Sequence, residues 1–117
     1  MNFSRADGAA AERIAAEYLA QQGYKILHRN FTCRLGEIDL VCEEGPILCF
    51  VEVRMRRVDR YGVALETITP KKLERIVRTA RYFLMKHNME ERECRFDVVT
   101  IQGGEAPELA RNAFQAD

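Results

Sequence analysis

The sequence predicts an α/β fold. Two amphipathic stretches of helical period, residues 7 to 22 and 70 to 86, alternate with shorter runs rich in β-branched and apolar residues. The order is helix, strand, hairpin, helix, strand, as expected when helices cover a sheet. At 117 residues the chain is expected to form one domain, with a core of about 5–102 and a tail of 103–117. A chain of this size buries about two-thirds of its unfolded surface and needs no staples.

Residues 7 to 22 form the first helix: Asp7 can cap it, alanines fill it, and Gly23 follows it. Its expected apolar stripe is Ile14, Tyr18 and Leu19 with Ala11 and Ala15. Glu12 has the spacing of a solvated helix carboxylate. Tyr24 to His28 reads as a short strand with Tyr24, Ile26 and His28 on one face, and Arg29 to Leu35 as a polar link. His28 receives no role, since no ligand spacing connects it to His87.

Residues 36 to 56 are the most informative stretch. Two apolar runs flank Glu43-Glu44-Gly45-Pro46, and each carries one acid where a strand should be buried, Asp39 in the first and Glu52 in the second. With Gly45-Pro46 at the tip, Glu44 faces Ile47 and Asp39 faces Glu52. That register places Ile38, Leu40 and Cys42 with Cys49, Val51 and Val53 on one face, and Asp39, Val41, Phe50, Glu52 and Arg54 on the other. Opposed carboxylates repel unless a cation lies between them. A bound divalent metal or Arg54 can supply it.

Arg56 to Pro70 is expected to be a charged loop. Thr69 caps the second helix and Pro70 opens it, with Leu73, Ile76, Val77, Ala80, Phe83 and Leu84 on its apolar side. Lys71, Lys72, Arg75, Arg78 and Tyr82 fall on the opposite side, a basic face that can lie along a phosphate backbone. His87 to Cys94 is an acidic turn. Arg95 to Ile101 is a strand with Phe96, Val98 and Thr100 opposite Asp97, Val99 and Ile101, and a short edge element is expected around Leu109 to Phe114.

Lysine plus arginine equals aspartate plus glutamate, 18 each, so an overall preference for polyanions is not expected. The average hides a local excess: residues 51 to 86 hold ten basic residues, Arg56 among them, against four acids. The four cysteines show no metal-site spacing, and the N-terminus lacks a signal-peptide pattern, which predicts a cytoplasmic protein with free thiols. Cys42 and Cys49 fall opposite each other, a geometry open to a cross-strand disulfide or to two small buried hydrophobes. No apolar run approaches the roughly 18 residues of a membrane span.

An acid on one strand facing Glu-x-Arg on its partner suits a metal-dependent phosphodiesterase. Two carboxylates can hold Mg²⁺, a hard cation that keeps several waters; the metal activates water and neutralises charge on phosphate. Gly36-Glu37-Ile38-Asp39-Leu40, Phe50-Val51-Glu52-Val53-Arg54-x-Arg56, Tyr61-Gly62, Lys72 and Arg95-Phe96-Asp97-Val98-Val99, with Ala11-Glu12-x-x-Ala15-x-x-Tyr18-Leu19 ahead and Asn112-Ala113-Phe114 behind, resemble the YraN family of small uncharacterised bacterial proteins. That family is similar to archaeal Holliday-junction resolvases. The resemblance implies a restriction-endonuclease-like fold, a central mixed sheet flanked by helices, with a PD-(D/E)xK nuclease site acting on branched or structured DNA. It implies Asp39 and Glu52 as ligands of Mg²⁺ or Mn²⁺, Glu12 as an auxiliary acid, and Lys72 as the second helix's lysine. Arg56, Arg75 and Arg78 join Lys72 as expected backbone contacts. Two-fold symmetric junctions motivate the expectation of a homodimer. The chain departs from the pattern at two positions: no proline precedes Asp39, and Arg54 stands in place of lysine. Arginine stays protonated, so it can hold phosphate or clamp Asp39 and Glu52 bidentately but cannot act as a general base, which leaves a catalytically weak or inactive nucleic-acid-binding or protein-interaction module of the same fold as the alternative.

Overall fold

The computed structural model describes residues 5–60 and 62–115; Tyr61, part of one matching string, lies outside them. Among the described residues, helix α1 (Arg5–Gln21) precedes strands β1 (Lys25–Cys33), β2 (Gly36–Glu44), β3 (Ile47–Asp59) and β4 (Gly62–Leu65). Helix α2 (Pro70–Lys86) and strands β5 (Cys94–Gln102) and β6 (Glu108–Phe114) complete the fold. The sheet runs β1-β2-β3-β5-β6, with β4 paired to the far end of β3. β3 and β5 are parallel and the other pairs antiparallel, so the sheet is mixed.

One hydrophobic cluster lies under each helix. Leu40, Cys42, Cys49, Val51 and Val53 pack under α1, and Val41, Leu48, Phe50 and Phe96 pack under α2 with Ile76, Ala80 and Phe83. Burial on both faces explains why the hairpin strands are nearly continuous apolar runs. Their few acids are therefore conspicuous. The register of the hairpin is the expected one from Leu40–Val51 to Glu44–Ile47. Cys42 and Cys49 are opposed and free, and burial pushes both thiols up to about 12.

Several expectations change. α1 starts at Arg5, so Asp7 stands in its first turn and bonds Arg57 of β3 at 3.0 Å instead of capping. The face it buries is Ala11, Ala15, Ala16 and Leu19, while Ile14 is exposed: small side chains let the helix axis approach the sheet. β1 continues to Cys33 through the expected link. A bulge between Ile26 and His28 shifts its register, which turns His28 away from Ile26's face and against Phe83 and His87, ring centroids 5.2 Å from each. Ile38 lies in the α2 cluster instead of beside Leu40, so strict alternation is interrupted at Asp39. The stretch expected as a loop after Arg56 is largely strand: β3 extends to Asp59 and β4 folds back on it.

The second helix follows its sequence signals. Thr69 Oγ1 accepts a hydrogen bond from the Lys72 N–H at 3.2 Å, and Pro70 opens the first turn. Gly36 determines how closely α2 can lie. A Cβ there would stand 3.0 Å from Thr79 Oγ1 and 3.7 Å from the Arg75 Cβ, and its φ is +153°. Glycine thus brings Arg75 against the start of β2. β6 pairs with β5 as the expected edge element, and Phe114 stacks on Phe96 at 4.8 Å. No helix among the described residues is long and apolar enough to cross a membrane.

Candidate metal and nucleic-acid site

Asp39 and Glu52 occupy the positions immediately beyond the last regular pair of the β2–β3 ladder, Leu40–Val51. Side chains take over from the backbone there. Asp39 Oδ2 accepts from the Val53 N–H at 2.8 Å, and Glu52 Oε2 accepts from the Asp39 N–H at 3.4 Å. Each carboxylate is thereby fixed by the opposite strand. Arg54, two residues along β3, donates from Nη2 to Glu52 Oε1 at 3.1 Å and from Nη1 to the Val53 carbonyl at 3.0 Å, with Nη1 3.8 Å from Asp39 Oδ2. The guanidinium pairs closely with Glu52 and only loosely with Asp39, without a symmetric two-pronged clamp. Its Nε is buried and has no acceptor among the described residues.

Burial is the main force on these acids. Burial, with the negative charge of Asp39, pushes the Glu52 carboxyl up to about 8 even though Arg54 opposes the shift. Asp39 moves upward as well, chiefly through burial, with its Val53 hydrogen bond and Arg54 opposing. With both carboxyls ionised, the single guanidinium leaves the pair one positive charge short. A divalent ion would relieve that shortage, and two carboxylates completed by water are a donor set that Mg²⁺ takes. The residues present fit such an ion.

Two clefts open on the pair. One, about 430 Å³, is lined by Asp39, Glu52, Arg54, Lys72 and Arg75. The other, about 650 Å³, runs toward α1 and includes Glu12, Arg29, Asp39, Arg54 and Glu66. Of the expected site residues, the fold thus gathers Asp39, Glu52, Arg54, Glu12, Lys72 and Arg75. Glu12 is raised by burial and then by the Asp39 charge, which places it within electrostatic reach of the pair. It does not close into a cluster with them: among the described residues no three acidic, histidine or cysteine side chains stand close enough to hold one ion. Arg78 lies apart and pairs with Glu74 at 2.6 Å along the exposed side of α2. Arg56 is exposed on the β3–β4 arm, outside both clefts.

The sequence profile of the uncharacterised protein family UPF0102 matches residues 11–101. The chain belongs to the UPF0102 family. It is 48% identical over 110 residues to a UPF0102 protein of Alkalilimnicola ehrlichii, covering 93% of this chain and 86% of the relative. It is 47% identical over 109 residues to one from Nitrosomonas europaea, covering 92% of each. A Symbiobacterium thermophilum relative is 44% identical over 118 residues, 97% of this chain and 100% of its own. The expected YraN resemblance is to this family. The span matched to UPF0102 contains every candidate site residue from Glu12 to Arg78.

In this UPF0102 chain, sequence reasoning missed two features. Glu66 is held at the base of the β3–β4 arm, its Oε1 accepting from the Met55 N–H at 3.1 Å, and its charge contributes to raising Asp39. Only the return of β4 brings it there. The second is a polar network around Asp97, which is fully buried. Asp97 accepts from the Tyr24 hydroxyl at 2.7 Å, Arg95 Nε at 2.9 Å and the Asn112 N–H at 2.9 Å. Arg95 continues to Glu44, to which Arg111 also donates at 2.9 and 2.7 Å. The two arginines hold the Glu44 carboxyl down at about 2. The network joins β2, β5 and β6 to Tyr24, the residue before β1, and its groups are satisfied internally; it is a structural element. Its available signal was Asp97 within an apolar run.

Proposed function

We propose that the chain is a nuclease-like protein of restriction-endonuclease-like fold that binds structured DNA and cleaves it with Mg²⁺ or Mn²⁺. The observation that carries the reading is the acid pair itself: two carboxylates, fixed by opposite strands and raised by burial, at the floor of a cleft walled by Lys72 and Arg75. A metal between Asp39 and Glu52, when bound, would activate water and neutralise charge developing on the phosphate. Lys72 and Arg75 hold the phosphate backbone over the cleft, contacts that position without reading sequence. Arg54, in the wall of the cleft, offers its guanidinium charge to a phosphate oxygen, since a guanidinium binds phosphate without leaving the protonated state. Glu12, made more basic by burial and then by the Asp39 charge, takes up the proton released from the attacking water.

The contact of Arg54 with Glu52 supports a second reading, in which the arginine is the resident cation and the protein binds DNA without cleaving it. One experiment separates them. Branched and linear DNA are incubated with the protein and Mg²⁺, Mn²⁺ or chelator, beside Glu52→Ala and Arg54→Lys. Cleavage that requires metal and vanishes in Glu52→Ala is the expected result. The binding-only reading predicts retention in chelator, unchanged by Glu52→Ala and falling steeply with salt. No retention at low salt contradicts both.

A further inference from the structure

The arm formed by the end of β3 and by β4 exposes apolar side chains that no other described residue covers. Val58 and Val63 are cross-strand partners, 52% and 59% exposed, and Leu65, opposite Arg56, is 49% exposed. Two-residue alternation puts Arg56, Val58, Val63 and Leu65 on one face of the ribbon. It is the face of β3 that carries Glu52 and Arg54. Arg57 takes the other face and bonds Asp7 of α1. A two-stranded ribbon is marginally stable by itself, and contiguous exposed apolar groups on it mark a contact surface.

Charge selects the occupant. The cation on the face of the two valines is Arg56; Arg57, on the other face, is already paired with Asp7. A second copy laid on this face would bring Arg56 toward its own equivalent, whereas a polyanion would be drawn to it. Where a duplex is interrupted, the face of its last base pair is apolar and bordered by phosphates. An apolar pair beside an arginine complements that face, as apolar wedges do at unstacked steps.

We propose that the arm is a wedge for interrupted duplexes: Val58 and Val63 cover the open face of a base pair at a branch or strand end, while Arg56 contacts the adjoining phosphate. The inference rests on the reading of the cleft as a nucleic-acid site and adds which DNA form is preferred and by which residues.

The test is fluorescence anisotropy in chelator with a labelled continuous duplex and a forked duplex of equal length, using the full chain and the double variant Val58→Ser/Val63→Ser. Both side chains are exposed, so the variant keeps the fold, and circular dichroism verifies this. The wild type is expected to prefer the fork, and the variant to lose about tenfold on the fork alone, the scale of uncovering one or two apolar side chains. Equal preference in wild type and variant overturns the wedge while leaving the cleft reading intact. Wild-type failure to bind either DNA at low salt overturns both. A wild-type dimer that light scattering shows becoming a monomer in the variant assigns the arm to a second copy and also overturns the wedge.

Discussion

Asp97→Ala is expected to lower unfolding stability by about 3–5 kcal/mol, the usual cost of removing one partner from a buried charge pair. For a chain of this length the corresponding fall in melting temperature is about 10–20 °C. Asp97 accepts from three groups on three segments, Tyr24, Arg95 and Asn112. Its loss leaves the Tyr24 hydroxyl and the Asn112 N–H without their acceptor and Arg95 with one carboxylate fewer. The Asn112 bond also holds β6 to β5, so β6 amides should exchange faster in the variant. Thermal melts and hydrogen exchange check this. A melting temperature within a few degrees of wild type would show that the network contributes little.

In metal-free buffer, stability is expected to fall as pH rises from about 5 to 8. The sign follows from Glu52, whose carboxyl is pushed up to about 8 in the folded chain by burial and by Asp39. A group raised on folding contributes its stability below its ordinary unfolded value and loses it as pH climbs through the folded value. While the folded state holds one more proton than the unfolded state, the slope is about 1.4 kcal/mol per pH unit. Glu52→Gln should flatten the profile across this window. Millimolar Mg²⁺ should restore the wild type at pH 8 and leave Glu52→Gln unchanged, because only a site with both carboxylates couples ion binding to folding. Chemical denaturation across pH, with and without Mg²⁺, measures both. Parallel profiles for wild type and variant would contradict the account of the acid pair.

What the sequence disclosed follows from where side chains meet apolar surroundings. The hairpin register from Leu40–Val51 to Glu44–Ile47 was legible from the Gly45-Pro46 tip and the apolar runs beside it, whereas the interruption at Asp39, which sends Ile38 to the α2 side, leaves no local signal. α2 was legible from Thr69, Pro70 and its apolar stripe. The β3–β4 arm was hidden because both its strands are largely exposed, so no apolar period marks them. The bulge in β1 depends on pairing with β2 and leaves no local signal, and the same pairing reverses the expected face of His28. Glu66 could be placed only once β4 was seen to return along β3. Arg75 and Arg78 looked equivalent on a basic helix face. The close approach of α2 at Gly36 turns Arg75 into the cleft and leaves Arg78 with Glu74.

Asp39 and Glu52 together are proposed to form a divalent-cation site. Calorimetric titration of Mn²⁺ into metal-free protein at pH 8 tests it directly, with Asp39→Asn and Glu52→Gln alongside and circular dichroism to establish that each is folded. One saturable site in the wild type, absent from both variants, is the predicted result. An unchanged isotherm in Asp39→Asn would contradict it.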